Sequence, residues 1–105
     1  MTGRVSLYRW DALELHKVTE MIARKAIVGV AETLAQAYFK KGALVPVHAH
    51  EGEQLIYVLQ GALRLLVDGD EVTVREGEVA RVPPGARHQA EALDDTFVLD
   101  VKCQK

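Results

Sequence analysis

Three histidines carry the most specific chemistry in this chain. His48 and His50 stand two residues apart, and His88 follows much later, just after Pro83-Pro84-Gly85. On a strand, residues i and i+2 point to the same face, so this pair is expected to offer two imidazoles on one side. An antiparallel barrel can bring the strand that carries His88 alongside them. Imidazole is the commonest metal ligand, and three such nitrogens with open positions beside them are a common catalytic arrangement. His16 sits among charged residues away from the other three and reads as a surface residue. Asp100 is the other group of interest, since it interrupts the apolar run Phe97-Val-Leu-Asp-Val. A carboxylate among apolar neighbours is costly unless it is paired or near a cation. Its parity groups it with Thr96 and Val98. If that face is inward, Asp100 points toward the metal cavity as a general acid or base. The other reading is a strand-end carboxylate paired with an arginine on the rim.

The elements that must position these groups read as strands. Val18 to Val30 is rich in β-branched residues, and Leu34 to Phe39 is a further apolar run. Gly42 and Pro46 break the chain before the first histidines. Leu55-Ile56-Tyr57-Val58-Leu59 follows and ends at Gly61. Asp68-Gly69 separates Leu63–Val67 from Val72–Val74, a strong hairpin signal because a type I′ turn needs positive φ. Val79 to Val82, His88 to Leu93 and Thr96 to Val101 complete the series. Asp11 offers a cap for one short helical turn through Ala12–Leu15. Many short strands punctuated by turns predict an all-β sandwich or barrel. Because the 55–59 strand is apolar on both faces, one face is expected to line the barrel. The other needs a second layer, for which a homodimer is the expected source.

The spacing of these residues resembles the cupin family. The first cupin motif corresponds to Gly42-ALVPV-His48-Ala49-His50-EGE-Gln54-LIYVLQ-Gly61, with Gln54 where the family usually has Glu. The second corresponds to Gly77-EVARV-Pro83-Pro84-Gly85-AR-His88-QAE-Ala92, with Ala92 in place of Asn. The resemblance implies a single cupin domain over residues 1–105, with the motifs at 42–61 and 77–92. Its fold would be a cupin β-barrel, a jelly roll or double-stranded β-helix. It also implies a divalent metal ion on His48, His50, Gln54 and His88. An N/O ligand set without thiolate permits Zn, Ni, Mn, Co or Fe.

Gln54 changes that site. Its amide oxygen donates more weakly than a carboxylate and brings no compensating charge. The ion is then expected to bind less tightly, to act as a stronger Lewis acid and to favour an anionic substrate. Two alternatives stand beside this. In one, Gln54 lies outside the coordination shell, leaving three histidines and water. In the other, Glu51 or Glu53 swings in, although Glu53 is expected on the opposite face of a regular strand. Without the 2-His-1-carboxylate set, oxygenase chemistry is less expected.

The C-terminal half resembles the pectin-degradation, KdgF-like cupins. These open the ring of a 4,5-unsaturated galacturonate and carry a His/His/Gln/His metal set, matched by His48, His50, Gln54 and His88. Their catalytic Asp on the last barrel strand is matched by Asp100, and the Arg24-Lys25 pair resembles a basic pair in those proteins. The chain departs from them in having Lys102 where they have Phe, and the sequence given lacks their Pro-x-Arg segment. The resemblance implies a metal-dependent isomerase or lyase on a small, anionic, sugar-derived substrate. A non-catalytic metal-dependent sensor or binding module is the alternative, and a cupin dioxygenase a more distant one. Tyr38, Gln36, Tyr57, Arg81 and Arg87 are candidates for the pocket or its mouth. Arg87 could clamp a substrate carboxylate bidentately.

Composition narrows the partners. The chain has 105 residues, 49% hydrophobic and 27% charged, with a formal net charge of -2. Neither a basic patch for nucleic acid nor a membrane-length apolar run is present in the sequence. With no signal-like segment and the single cysteine Cys103, a cytoplasmic setting is expected.

Overall fold

The computed structural model describes residues 3–104. Among these described residues, ten strands form two antiparallel sheets. The larger sheet contains β1 (His16–Thr19), β2 (Ile22–Val28), β3 (Glu32–Phe39), β5 (Gln54–Gln60), β8 (Val79–Val82) and β10 (Thr96–Cys103), in the order β1-β2-β3-β10-β5-β8. The smaller contains β4 (Leu44–His48), β6 (Ala62–Val67), β7 (Asp70–Arg75) and β9 (His88–Ala92), in the order β4-β9-β6-β7. Neighbours distant in sequence, such as β3 with β10 and β4 with β9, give the jelly-roll weave of a cupin barrel. Among the described residues, no helix is long and apolar enough to cross a membrane.

The core lies between the sheets. Ile56, Val58, Val82 and Val98 project from the larger sheet, and Leu63, Leu65, Val74 and Ala92 from the smaller. Alternation along β5 shows the rule: Gln54, Ile56 and Val58 are buried, while Leu55 and Tyr57 face outward. A pleated strand permits only one of two adjacent side chains to enter the core. The two-sided apolar run at 55–59 therefore leaves a hydrophobic outer face. Tyr38, stacked on Phe97 with ring centroids 4.7 Å apart, extends that face on the neighbouring strands.

Local turn chemistry fixes the β6–β7 hairpin as the sequence predicts. Asp68 and Gly69 have φ of 48° and 87°, the two positive values a type I′ turn demands. The run from Val18 to Val30, in contrast, is divided by a turn at Glu20–Met21 into β1 and β2. The expected helical turn after Asp11 is instead a single 3-10 turn at Trp10–Ala12, and Asp11 lies within it rather than capping it.

Candidate metal centre

The register of β4 against β9 makes the site. His48 and His88 are directly opposed residues of the two strands, across an irregularity between Val45 and His48. Their rings lie 4.2 Å apart, and the His50 ring is 4.9 Å from that of His88. One nitrogen from each of the three histidines falls within 4.8 Å of the others. β4 ends at His48, and His50 lies two residues beyond it, just before the bend at Glu51–Gly52, with its carbonyl accepting from the Gly85 N–H at 2.9 Å.

Each ring is held the same way. The Nδ1 of His48 donates to the Pro46 carbonyl, that of His50 to Gly52, and that of His88 to Ala86, each at 2.9 Å. A carbonyl only accepts, so Nδ1 carries the proton in all three rings and Nε2 is left with a lone pair. Outer hydrogen bonds of this kind orient metal-ligating imidazoles. The Nε2 of His88 is buried and has no hydrogen-bond partner among the described residues. A buried unpaired polar atom costs about 1–3 kcal/mol, an arrangement that makes sense if a ligand completes it. Gly52 matters here, since a Cβ built on it would collide with the Cys103 carbonyl oxygen. The bend that follows His50 packs against the end of β10 only because this position has no side chain.

Gln54, at the start of β5 and 8% exposed, joins the cluster. Its Nε2 donates to Asp100 Oδ1 at 2.8 Å, and its Oε1 lies 3.1 Å from His50 Nε2. An ionised carboxylate only accepts, so the amide must turn its NH₂ to Asp100 and its oxygen to the histidines. With the His50 proton on Nδ1, two lone pairs then face each other. At 3.1 Å two such acceptors repel unless a cation that both could coordinate lies beside them. The orphaned His88 nitrogen and this pair of facing acceptors both fit a cation. His48, His50, His88 and Gln54 are the residues that would hold it.

Asp100 stands on the inner side of β10, opposite the buried Ala35 of β3 and Ile56 of β5. The parity inferred from the sequence is therefore the inward one. Burial lowers the pKa of His88 below its ordinary 6.5; the Ala86 carbonyl opposes this, and the charges of His48, His50 and Lys102 add to it. The neutral, ligand-ready form of the ring is favoured.

Other expected site residues fall elsewhere. Tyr38 is on the outer face of β3, stacked on Phe97 with its hydroxyl near Gln36, so it does not line the barrel cavity. Gln36 and Tyr57 share that outer side, because their neighbours Ala35, Ala37, Ile56 and Val58 fill the inner one. Glu53 pairs with Arg81 at 2.7 Å, which turns both away from the histidines. Arg87 is exposed beside His88, and its backbone N–H donates to Asp68 Oδ1 at the β6–β7 turn. Lys25 is spent on the Trp10 carbonyl, 2.7 Å away. A hollow of about 830 Å³ is lined by Tyr38 and Phe97 among others and by no histidine. A smaller one of about 200 Å³ includes Asp100 and Lys102 together with Arg24, a residue the sequence marked only as half of a basic pair.

Comparison with known proteins agrees with this fold. The family described as Cupin domain matches residues 36–101, and the chain belongs to that family. An uncharacterized protein of Methanocaldococcus jannaschii is 27% identical over 87 residues, covering 82% of this chain and 70% of that protein. KdgF from Halomonas sp. superposes with a TM-score of 0.88 at 26% identity, covering 97% of this chain and 96% of that one. An RmlC-like cupin from Shewanella frigidimarina superposes with a TM-score of 0.88 at 24% identity, covering 100% of this chain and 96% of its own, a likeness of fold.

Proposed function

We propose that this cupin is a metal-dependent isomerase or lyase that opens the ring of a small unsaturated uronate or a related sugar acid. One observation carries the reading: Gln54 links the three-histidine cluster directly to an inward carboxylate, Asp100. The likeness to KdgF over nearly the whole chain supports the same substrate class. A divalent ion in this site would polarise a substrate oxygen as a Lewis acid.

The chain's own residues supply the rest. Each Nδ1–H is tied to a carbonyl, so the histidines hold their Nε2 atoms toward the centre. Asp100 gives Oδ1 to Gln54 and keeps its other oxygen to take a proton from a substrate hydroxyl or carbon and return it. Core residues Ile56, Val58 and Val98 exclude water from the barrel beneath.

Metal analysis of the purified protein, then assay of the loaded protein on unsaturated galacturonate, tests this. Ring opening that Asp100→Asn abolishes is the expected result, and full activity in that variant removes Asp100 from the mechanism. The engagement of Asp100 by Gln54 also supports the second reading, a site that binds acids without turning them over. Binding of uronates by the loaded protein without any product would establish that one. The exposed apolar face around Tyr57, Leu55, Tyr38 and Phe97 supports a homodimer that covers it.

A further inference from the structure

We infer that Arg24 and Lys102 form a carboxylate-binding subsite beside the metal centre, on the inner face of the larger sheet. This rests on the reading of the site as one for small acids and assigns the residues that would select them.

Strand register puts both cations on one face. Lys102 on β10 is opposite Gln54 on β5 and Thr33 on β3, and Thr33 is opposite Val28 on β2. Arg24 lies on the same face of β2, opposite Ala37. Between them the sheet offers only short side chains, Ala26, Ala35 and Thr33, and the space left is a cavity of about 200 Å³. At ~30 Å³ per water, that is room for roughly six or seven waters, or for a small acid. Asp100 lines the same cavity and accepts from Gln54, whose Oε1 faces His50, so these two side chains connect the hollow to the histidine cluster, although no histidine lines the hollow itself.

Charge gives the hollow its selectivity. Among the described residues, neither Arg24 nor Lys102 takes part in an ion pair, although Arg9, Lys17, Arg64 and Arg81 all do. With Gln54 as the fourth ligand, the centre has no carboxylate to offset an ion. One aspartate then faces an ion and two cations in a partly buried hollow, and unpaired charge there is costly. A bound carboxylate offsets it, with the guanidinium of Arg24 able to take it bidentately and Lys102 acting as a point charge. The acid group is thereby anchored away from the metal, leaving its hydroxyl or ring oxygen toward Asp100 and the histidines.

Arg24→Met and Lys102→Met test the assignment, with D-galacturonate as the probe and D-galactose as its neutral counterpart, at low salt. In the metal-free protein, galacturonate should shift the amide resonances of β2, β3 and β10, and galactose should not. Each variant should weaken galacturonate about tenfold or more, the weight of one charge-assisted hydrogen bond. Zinc affinity should stay the same or rise in both, which also reports that they fold. Wild-type galacturonate affinity in the variants, equal binding of galactose, or no binding of galacturonate by the wild type each overturns the subsite. Uronate turnover that survives both substitutions overturns the subsite alone. Galacturonate binding that depends on Arg24 and Lys102, without ring opening by the loaded protein, overturns only the enzymatic reading.

Discussion

Asp100 orients the amide of Gln54. The 2.8 Å bond from Gln54 Nε2 to Asp100 Oδ1 leaves Oε1 no direction but toward His50. A charge missing from the inner ligand set is thus present one amide further out, where it raises the donor strength of that amide oxygen. Removing this acceptor should cost about 10–100-fold in metal affinity, as outer-shell substitutions do. Asp100→Leu is therefore expected to weaken zinc binding by that factor, while Asp100→Asn, which can still accept from the amide, should hold zinc nearly as well as wild type. Competition with a chromophoric chelator measures both. Equal affinities for Asp100→Leu and wild type would show that the bond does not support the site.

Gln54 itself separates the possible ligand sets. Gln54→Ala should lower zinc affinity by about tenfold or more if its oxygen is a ligand, and unchanged affinity would leave three histidines alone. Gln54→Glu should bind zinc more tightly, since a carboxylate donates more strongly and neutralises charge. Without metal, that variant places two carboxylates against each other, which raises the pKa of one of them. Stability linked to a raised carboxyl pKa is lost as pH rises. Metal-free Gln54→Glu should accordingly melt lower, relative to wild type, at pH 8 than at pH 5, with zinc reversing the deficit.

His88 predicts a pH dependence of the opposite sign. Its pKa in the fold lies below the ordinary 6.5 because burial disfavours the cation. Between the two values the unfolded chain binds more protons than the folded one, so stability rises with pH across that window. The metal-free protein should keep this contribution above about pH 6.5 and lose it as pH falls through the folded value. Melting curves from pH 8 to pH 5 check this. Zinc should steepen this slope, because an ion on the histidine nitrogens keeps the folded state from taking up protons that the unfolded chain binds. A melting temperature that does not fall on acidification would contradict the burial argument.

The outer face of the larger sheet predicts self-association. Val79 is 58% exposed and Leu55, Tyr57 and Tyr38 are near 40%, side by side on adjoining strands. Sedimentation should find a dimer, and Tyr57→Asp should yield monomer that retains zinc binding. Wild-type protein that sediments as a monomer at high concentration would leave the face without this role.

Much of this protein was legible in its sequence, and the divide follows the range of the forces involved. Local chemistry determined the elements: the apolar run of β5, the positive-φ Asp68-Gly69 turn, and the His-x-His pair set four residues before Gln54. Those are properties of neighbouring residues, and they survive into the fold. Only the tertiary structure decided which residues meet. The pairing of β4 with β9 placed His88 against His48. Register across β2, β3, β10 and β5 put Arg24, Asp100, Lys102 and Gln54 on one inner face while turning Tyr38 outward. A shift of one residue in one of these pairings would turn that strand's side chains to the opposite face. Core packing between two sheets, summed over the whole barrel, sets that register, and no short segment contains it.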